Sequence, residues 1–415
     1  MKKIAIIGGG ISGIASAWYL QSRYEVTLFE GEPVLGGHTT TAMIDWHGKT
    51  LPIDMGFIVF NDRTYPHFMA LLKAWGVSYA KSDMSFSLVS ELSGLEYNGG
   101  NLNGLFADRL NLFRPTFWRL LAEIARFNRL AKASLADLAH TPELTLGELI
   151  SQWQLSEKFT QTYLYPMAAA IWSGSLQSVS LYSAYFLLKF YDNHGLLDLS
   201  NRPQWYFIER GSQTYIKHFT RLFQGNMRAN APVTSIKREA GKVIIFDQAG
   251  QPSYFDGVVL ACHADQALQL LSDPRPVETD ILKAFPYEQN EVVLHNDIKL
   301  MPGRRRAWAS WNYRLVKEPS HRPSLTYYMN KLQNVSSTTP FLVTLNPAQP
   351  ILAPHVFVRR QMAHPQFHAH SLSFQSRWTE INGPLQTYYC GAYWGYGFHE
   401  DGVRSALAVS EAIKI

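Results

Sequence analysis

Apolar and polar positions fall into a regular order from the first residues. Lys3–Ile7 is a short apolar run suited to a buried strand, Gly8–Gly13 is a glycine-rich turn, and Ile14–Leu20 is apolar at helical length. Glu25–Phe29 is a second strand-like run, closed by Glu30. An amphipathic helix is predicted from Gly211 to Phe223, followed by strands at Pro232–Ile236 and Lys242–Phe246 and a returning parallel strand at Asp256–Ala261. The stretch 61–202 has mostly helical spacing. The stretch 273–384 carries strand-like runs at Glu291–His295, Ala307–Tyr313, Leu325–Met329 and Phe341–Leu345, which predict a mostly antiparallel sheet. The expected organisation is an α/β nucleotide domain built from 1–60, 203–272 and 385–415, with an α+β substrate domain inserted as 61–202 and 273–384.

The first turn has the spacing G-x-G-x-x-G. Gly8 permits the tight bend, Gly10 lets backbone approach a pyrophosphate, and Gly13 lets the helix lie close to the strand. Ser12 and the unpaired N–H groups of the first helical turn face the anion at the positive end of the helix. Glu30, 20 residues after Gly10, stands where a ribose-binding carboxylate belongs. Met1-Lys2-Lys3 and the apolar stretch behind it also have the look of a secretory signal. The strand, turn, helix and second strand in register favour a nucleotide fold instead.

The run GGGISG followed by VTLFEGEPVLGGH resembles the amino terminus of FAD-binding flavoproteins of the amine oxidase and phytoene desaturase superfamily. That resemblance implies a Rossmann-type FAD domain of the glutathione-reductase kind and non-covalent FAD. It assigns Gly36, Gly37 and His38 to the cofactor's diphosphate and flavin. His38 stands where many members carry Arg, so a permanent charge is not expected there. Asp54-Met55-Gly56-Phe57 resembles the D-x-G turn beside the flavin ring, and Val233 matches the position that holds adenine through its backbone. Residues 388–406 resemble the family's closing strand, Gly-aromatic loop and helix written E-G-A-V-x-S-G. Gly391, Glu400, Asp401, Gly402 and Val403 are cofactor residues on that reading, although Asp401 and Gly402 depart from the pattern. A helix N-terminus at this point would stabilise negative charge on the reduced ring, and Asp401 would weaken that field if it turned toward it. The segments at Tyr165–Ser173 and Leu300–Tyr313 resemble a bacterial subgroup associated with cyclopropane-fatty-acid-synthase-like enzymes, which implies a lipid setting.

Composition narrows the picture. The chain has 415 residues with 46% hydrophobic and 13% aromatic content, enough for a large core and for an aromatic pocket. Its two cysteines, Cys262 and Cys390, exclude a disulfide framework and fit a reducing, cytoplasmic setting. Cys262 reads as a buried structural thiol. A net charge of +5 does not call for nucleic acid. His364, His368 and His370 cluster in sequence, but Pro365 interrupts them and no carboxylate completes a ligand set, so no metal is expected.

Flavin chemistry of this superfamily moves hydride from a C–H bond to N5 and requires no dedicated acid–base pair. Phe398, Trp394 and Tyr393 are candidate pocket walls. Lys299, His399 and Tyr165 are secondary candidates for chemistry. Phe398 lacks the hydroxyl of an amine-oxidase cage, which favours an apolar, lipid-like substrate over an amine; an amine oxidase and a flavin-dependent isomerase or non-catalytic flavin protein stay open. Between Leu105 and Leu135, Phe106, Leu110, Phe113, Phe117 and Trp118 alternate with Arg109, Arg114, Arg119, Arg126, Arg129 and Lys132. Pro115 is expected to open a helix there. The stretch suits either the inner face of a membrane or a helix packed on its own domain with a solvated basic side.

Overall fold

The computed structural model describes residues 1–172, 174, 176–198, 202–239, 241–316 and 324–414. At its centre is a parallel sheet in the order Asn226–Arg228, Glu25–Phe29, Lys3–Ile7, Gly257–Leu260, Thr387–Tyr389. Ile6 stands between Leu28 and Val259. Both faces are covered, which is why these strands read as continuous apolar runs. Ile4 and Ile6 pack with Ile14 and Ala17 of the helix Ile11–Leu20 and with Val403, Ala406 and Val409 of the helix His399–Ala412. Ala5 and Ile7 pack with Ile236, Val243 and Phe255 from the other side. Those residues belong to the antiparallel sheet Val233–Glu239, Lys242–Asp247, Pro252–Phe255. The expected strand and helix units of 1–60 and 203–272 are all present, and the expected helix after Gly211 is Gln213–Leu222.

A seven-stranded sheet forms the second layer, in the order Val356–Pro365, Tyr287–His295, Leu342–Leu345, Ser324–Tyr328, Trp311–Leu315, Phe86–Ser90, Glu96–Asn98. Its neighbours are antiparallel except Trp311–Leu315 against Phe86–Ser90. Two expectations need correction. The run expected from Ala307 starts at Trp311, because Arg305–Ala307 closes a tight 3-10 turn first. The stretch 61–202 is not helical throughout, since Tyr79–Ser82, Phe86–Ser90 and Glu96–Asn98 are strands. Tyr79–Ser82 and Val59–Asn61 both pair with Trp205–Ile208, so one small sheet stitches three chain segments together.

Helices fill the rest of 61–202. Pro115 does open a helix, Pro115–Leu138, whose Phe117, Leu120 and Phe127 enter a core with Phe159, Leu187 and Tyr313. Among the described residues no helix is long and apolar enough to cross a membrane.

Candidate active site

A cavity of about 1510 Å³ runs along the carboxyl ends of the parallel strands. This is where ligands of open α/β sheets bind, and it exceeds the usual range for a small-molecule pocket. The glycine turn sits at its middle. Gly8 has φ +106, and a Cβ there would stand 2.9 Å from the Ala261 carbonyl oxygen. A Cβ on Gly13 would strike the Gly8 carbonyl oxygen, so helix and strand touch through that position. Gly10 differs: its nearest neighbour is the Gly37 Cα at 4.0 Å, and the space beyond is the cavity. Ser12 also lines it.

Glu30 lines one end beside Val233 and Pro232. Its Oε2 accepts from the Gly9 N–H at 2.7 Å and its Oε1 from the Glu32 N–H at 2.9 Å. The carboxylate therefore ties the second strand to the glycine turn while still facing the cavity. The second glycine pair closes over the first. Gly36 donates its N–H to the Gly9 carbonyl at 2.9 Å and has φ +147, and Gly37 has φ +55. A Cβ on Gly36 is excluded, since it would lie 2.6 Å from the Thr39 carbonyl oxygen, and one on Gly37 would be both in the left-handed region and tight against the Gly10 Cα at 3.3 Å.

Beyond this double turn the cavity is walled by imidazoles. His38 Nε2 donates to the Ala363 carbonyl at 2.8 Å, which leaves Nδ1 as the acceptor. Its ring centre lies 5.5 Å from those of both His263 and His364. Burial lowers the pKa of His38, and burial with His38 beside them pushes His263 and His364 down to about 3. Burial thus favours the neutral form of all three rings, so His38 does not carry the permanent charge of the Arg it replaces; Arg360 and Asp265 are the charged side chains nearest in sequence to His364 and His263 that line the cavity. His263 also stacks on Tyr287 at 4.2 Å and 9°. His368 stands apart as the residue before the helix Ala369–Gln375, and the His370 side chain and Ser173 lie outside the described residues. Among the described residues no cluster could hold a metal ion.

The far wall comes from the Gly-aromatic loop and the last helix. Gly391, Tyr393, Phe398 and His399 line the cavity. Phe398 stacks on Phe190 with centres 5.2 Å apart, so the wall continues into the apolar core of the helical insertion. The Tyr393 hydroxyl is buried with no hydrogen-bond partner among the described residues, an orphaned donor on the cavity wall. His399 Nε2 lies 3.1 Å from the Thr39 hydroxyl, which is 2.7 Å from that of Tyr215. Burial holds His399 well below the usual imidazole range.

Several residues expected at the cofactor stand one layer behind this wall. Gly56 lies under the His38 carbonyl, where any Cβ would collide, and Phe57 stacks on His399 at 3.5 Å. Asp54 accepts from the Ser212 N–H at 2.9 Å and from the Ser212 hydroxyl at 2.7 Å, and Gln333 Nε2 donates to its other oxygen. It joins the helix Gln213–Leu222 to the seven-stranded sheet. Trp394 packs on Phe285 rather than lining the cavity. Glu400 turns away to accept from the N–H groups of His67 at 3.1 Å and Phe68 at 2.9 Å, opening the helix Pro66–Ala74. Asp401 turns back to the Phe398 N–H at 3.0 Å and to Arg404 at 2.8 Å, so it does not point at a ring in the cavity. Gly402 lets the last helix touch Ser12, and Val403 is core. Lys299 is exposed on a 3-10 turn, and Tyr165 is packed in the helical core without reaching the cavity. Cys262 packs against the core beside the parallel sheet and also lines the cavity, its thiol pushed up to about 12 by burial.

Reading the sequence missed His263, Tyr287, Thr39 and the strand residues Arg360, Gln361 and Met362. Val356–Pro365 has no clean alternation, and its contribution becomes visible only when it pairs with Tyr287–His295.

Fold and site together define a Rossmann-type dinucleotide-binding protein whose seven-stranded sheet contributes to the wall of the cavity. The model of the flavin containing amine oxidoreductase family matches residues 11–290, and the chain belongs to that family. A carotenoid phi-ring synthase from Chlorobaculum tepidum is 46% identical over 65 residues, which take in 15% of this chain and 10% of that protein. Among solved structures, a putrescine oxidase variant superposes with TM-score 0.72 at 13% identity, covering 99% of this chain and 98% of the other. A putative protoporphyrinogen oxidase from Exiguobacterium sp. gives 0.69 at 18%, and a fatty acid isomerase from P. acnes 0.68 at 16%, each over 99% of this chain and 98% of the other. The cofactor is FAD, and the residues fit it. The open face of Gly10, the paired glycine turns, Glu30 and the orphaned Tyr393 hydroxyl surround one continuous space.

Proposed function

We propose that the protein is an FAD-dependent oxidoreductase that removes hydride from a C–H bond of an apolar, lipid-like chain. Bound FAD supplies the two-electron acceptor at N5. The chain's own residues position and shield. The double glycine turn and the first turn of the helix Ile11–Leu20 would hold the diphosphate, and Glu30 the ribose. The N-terminus of the helix His399–Ala412 would favour negative charge on the ring, and Asp401 is held back from the cavity by its bonds to Phe398 and Arg404, the latter offsetting its charge. Phe398 and the aromatic cluster behind it exclude water from the reacting carbon.

The observation that carries the substrate class is the run of neutral rings around His38, backed by the stack of Phe398 on Phe190. His38, His263, His364, Tyr287, Tyr393 and Phe398 offer no carboxylate to an ammonium ion; the carboxylates that line the cavity are Glu30 and Glu32 after the second strand and Asp265 after His263, and Arg360 adds a cation that an ammonium ion would meet unfavourably. Nor is there a slot between His263 and Tyr287, whose rings are already in contact. The carotenoid phi-ring synthase supports the reading as a partial relative whose name carries an apolar substrate. The test is anaerobic titration of the holoprotein. Acyl or polyene lipids should bleach the flavin absorbance and primary amines should not; bleaching by amines would overturn the substrate class, and bleaching by neither would favour an isomerase or a non-catalytic flavin protein.

A further inference from the structure

On the face made by the helix Leu102–Leu105, the turn Arg109–Phe113 and the start of the helix Pro115–Leu138, large apolar side chains stand in solvent. Phe113 is 81% exposed, Leu102 76%, Leu110 60% and Trp118 49%. A shallow groove lined by Leu112, Phe113, Pro115, Trp118 and Arg119 runs between them. Single exposed apolar residues are ordinary, but a contiguous group on one turn is a contact surface. The crest is also fixed in shape. Trp118 donates its indole N–H to the Leu112 carbonyl at 3.0 Å, so the ring is held against the turn with no polar group left over on it.

Charge around the crest is one-sided. The nearby carboxylates are turned into the protein: Asp108 receives the Leu110 N–H and a salt bridge from Arg114 at 3.1 Å, Glu96 receives Arg304, and Glu123 accepts from the Ser156 N–H and hydroxyl. Arg109, Arg119, Arg305 and Arg306 are exposed at the rim, and the segment of Arg304 reaches the turn through its salt bridge to Asp108. We infer that this face is a docking surface for an anionic lipid bilayer, with Leu110, Phe113 and Trp118 entering the acyl boundary and the rim arginines meeting lipid phosphates. Apolar residues at the crest with cations round it are what an interfacial site requires, and the ion pairs of Asp108 and Glu96 remove the repulsion that an anionic surface would otherwise meet. Phe117 takes no part, because it is buried in the helical core. The inference does not depend on the substrate, since binding is read without turnover.

The experiment is co-sedimentation of the FAD-loaded protein with phosphatidylcholine vesicles, alone and with about one-third phosphatidylglycerol. Binding should need the anionic lipid and weaken as salt rises from about 0.1 to about 0.5 M without vanishing, because the apolar part is not screened. Leu110→Asp with Phe113→Asp should lower the partition by about tenfold or more, and Arg109→Glu with Arg119→Glu should remove the dependence on anionic lipid. All four side chains are exposed, and unchanged flavin content and melting temperature confirm folding of the variants. Bromine-labelled acyl chains should quench tryptophan emission in the wild type and less in Trp118→Phe. Absence of binding by the wild type, or equal binding by both variants, overturns the proposal. So does a dimer in sedimentation velocity that the Asp pair dissolves, which would give the surface to a second copy of the chain.

Discussion

Gly10 and Gly13 share a motif and differ in what surrounds them. A Cβ on Gly13 has the Gly8 carbonyl oxygen in its place, whereas one on Gly10 meets nothing nearer than 4.0 Å in the apoprotein. Gly13→Ala should therefore destabilise the apoprotein by about 1–3 kcal/mol through the forced shift of helix from strand. Gly10→Ala should leave the apoprotein melting temperature almost unchanged and weaken FAD binding. Melting curves of stripped protein and fluorescence titration with FAD separate the two; a large loss of apoprotein stability in Gly10→Ala would show that its space is not the cofactor's. Glu30 is placed to act twice, since it fixes the Gly9 and Glu32 N–H groups and also lines the cavity. Glu30→Ala should weaken FAD binding by about 1.5–3 kcal/mol. Unchanged affinity in the same titration would move the ribose contact elsewhere.

Among the elements, the closing helix His399–Ala412 is the joint. Its first turn presents His399 to the cavity, Glu400 to the start of Pro66–Ala74, and Asp401 to its own cap. The sequence motif marks this helix correctly. It does not say which of four consecutive residues face the ligand, because that depends on where the neighbouring helix begins. Glu400→Ala would strand two backbone donors, one of them buried, and should cost about 2–4 kcal/mol in stability. Glu400→Gln, which keeps one acceptor, should lose less. Thermal denaturation of both gives the answer, and a neutral Glu400→Ala would mean the two N–H groups find water. The basic-aromatic helix illustrates the same point: its pattern was compatible with lipid or with core, and the fold divides it, taking Phe117 inward and leaving Phe113 and Trp118 outside.

Buried titratable groups set the response of the whole molecule to acid. His194 and His295 are buried, with pKa values pushed down to about 4 from the usual 6.5, first of all by desolvation. Each contributes stability present above pH 6.5 and lost as pH falls toward 4, about 2 kcal/mol by pH 5. Asp54 and Asp401 work the other way. Burial raises both to about 6, so the folded state holds their protons longer and regains roughly 1 kcal/mol apiece between pH 7 and 5. The histidines win. His399, also lowered, adds to the same side. The melting temperature should drop from pH 7 to pH 5, and a rise over that interval would show that the carboxylates dominate.

By itself the sequence determined the nucleotide half almost to the residue. Lys3–Ile7, the glycine turn, the helix to Leu20 and Glu25–Phe29 stand where the pattern put them, because a strand buried on both faces and a turn that must lack Cβ atoms are local requirements written in residue type. The family also followed from local motifs, the two glycine turns and the closing helix, which line one cavity. Only the tertiary structure decided the histidine-lined end of the cavity. His38, His263 and His364 come from segments more than 200 and about 100 residues apart. They meet because Val356–Pro365 pairs with Tyr287–His295 over the end of the parallel sheet, and no residue in those strands carries a signal of that pairing. Whether an imidazole there is charged depends on the burial that the packing produces.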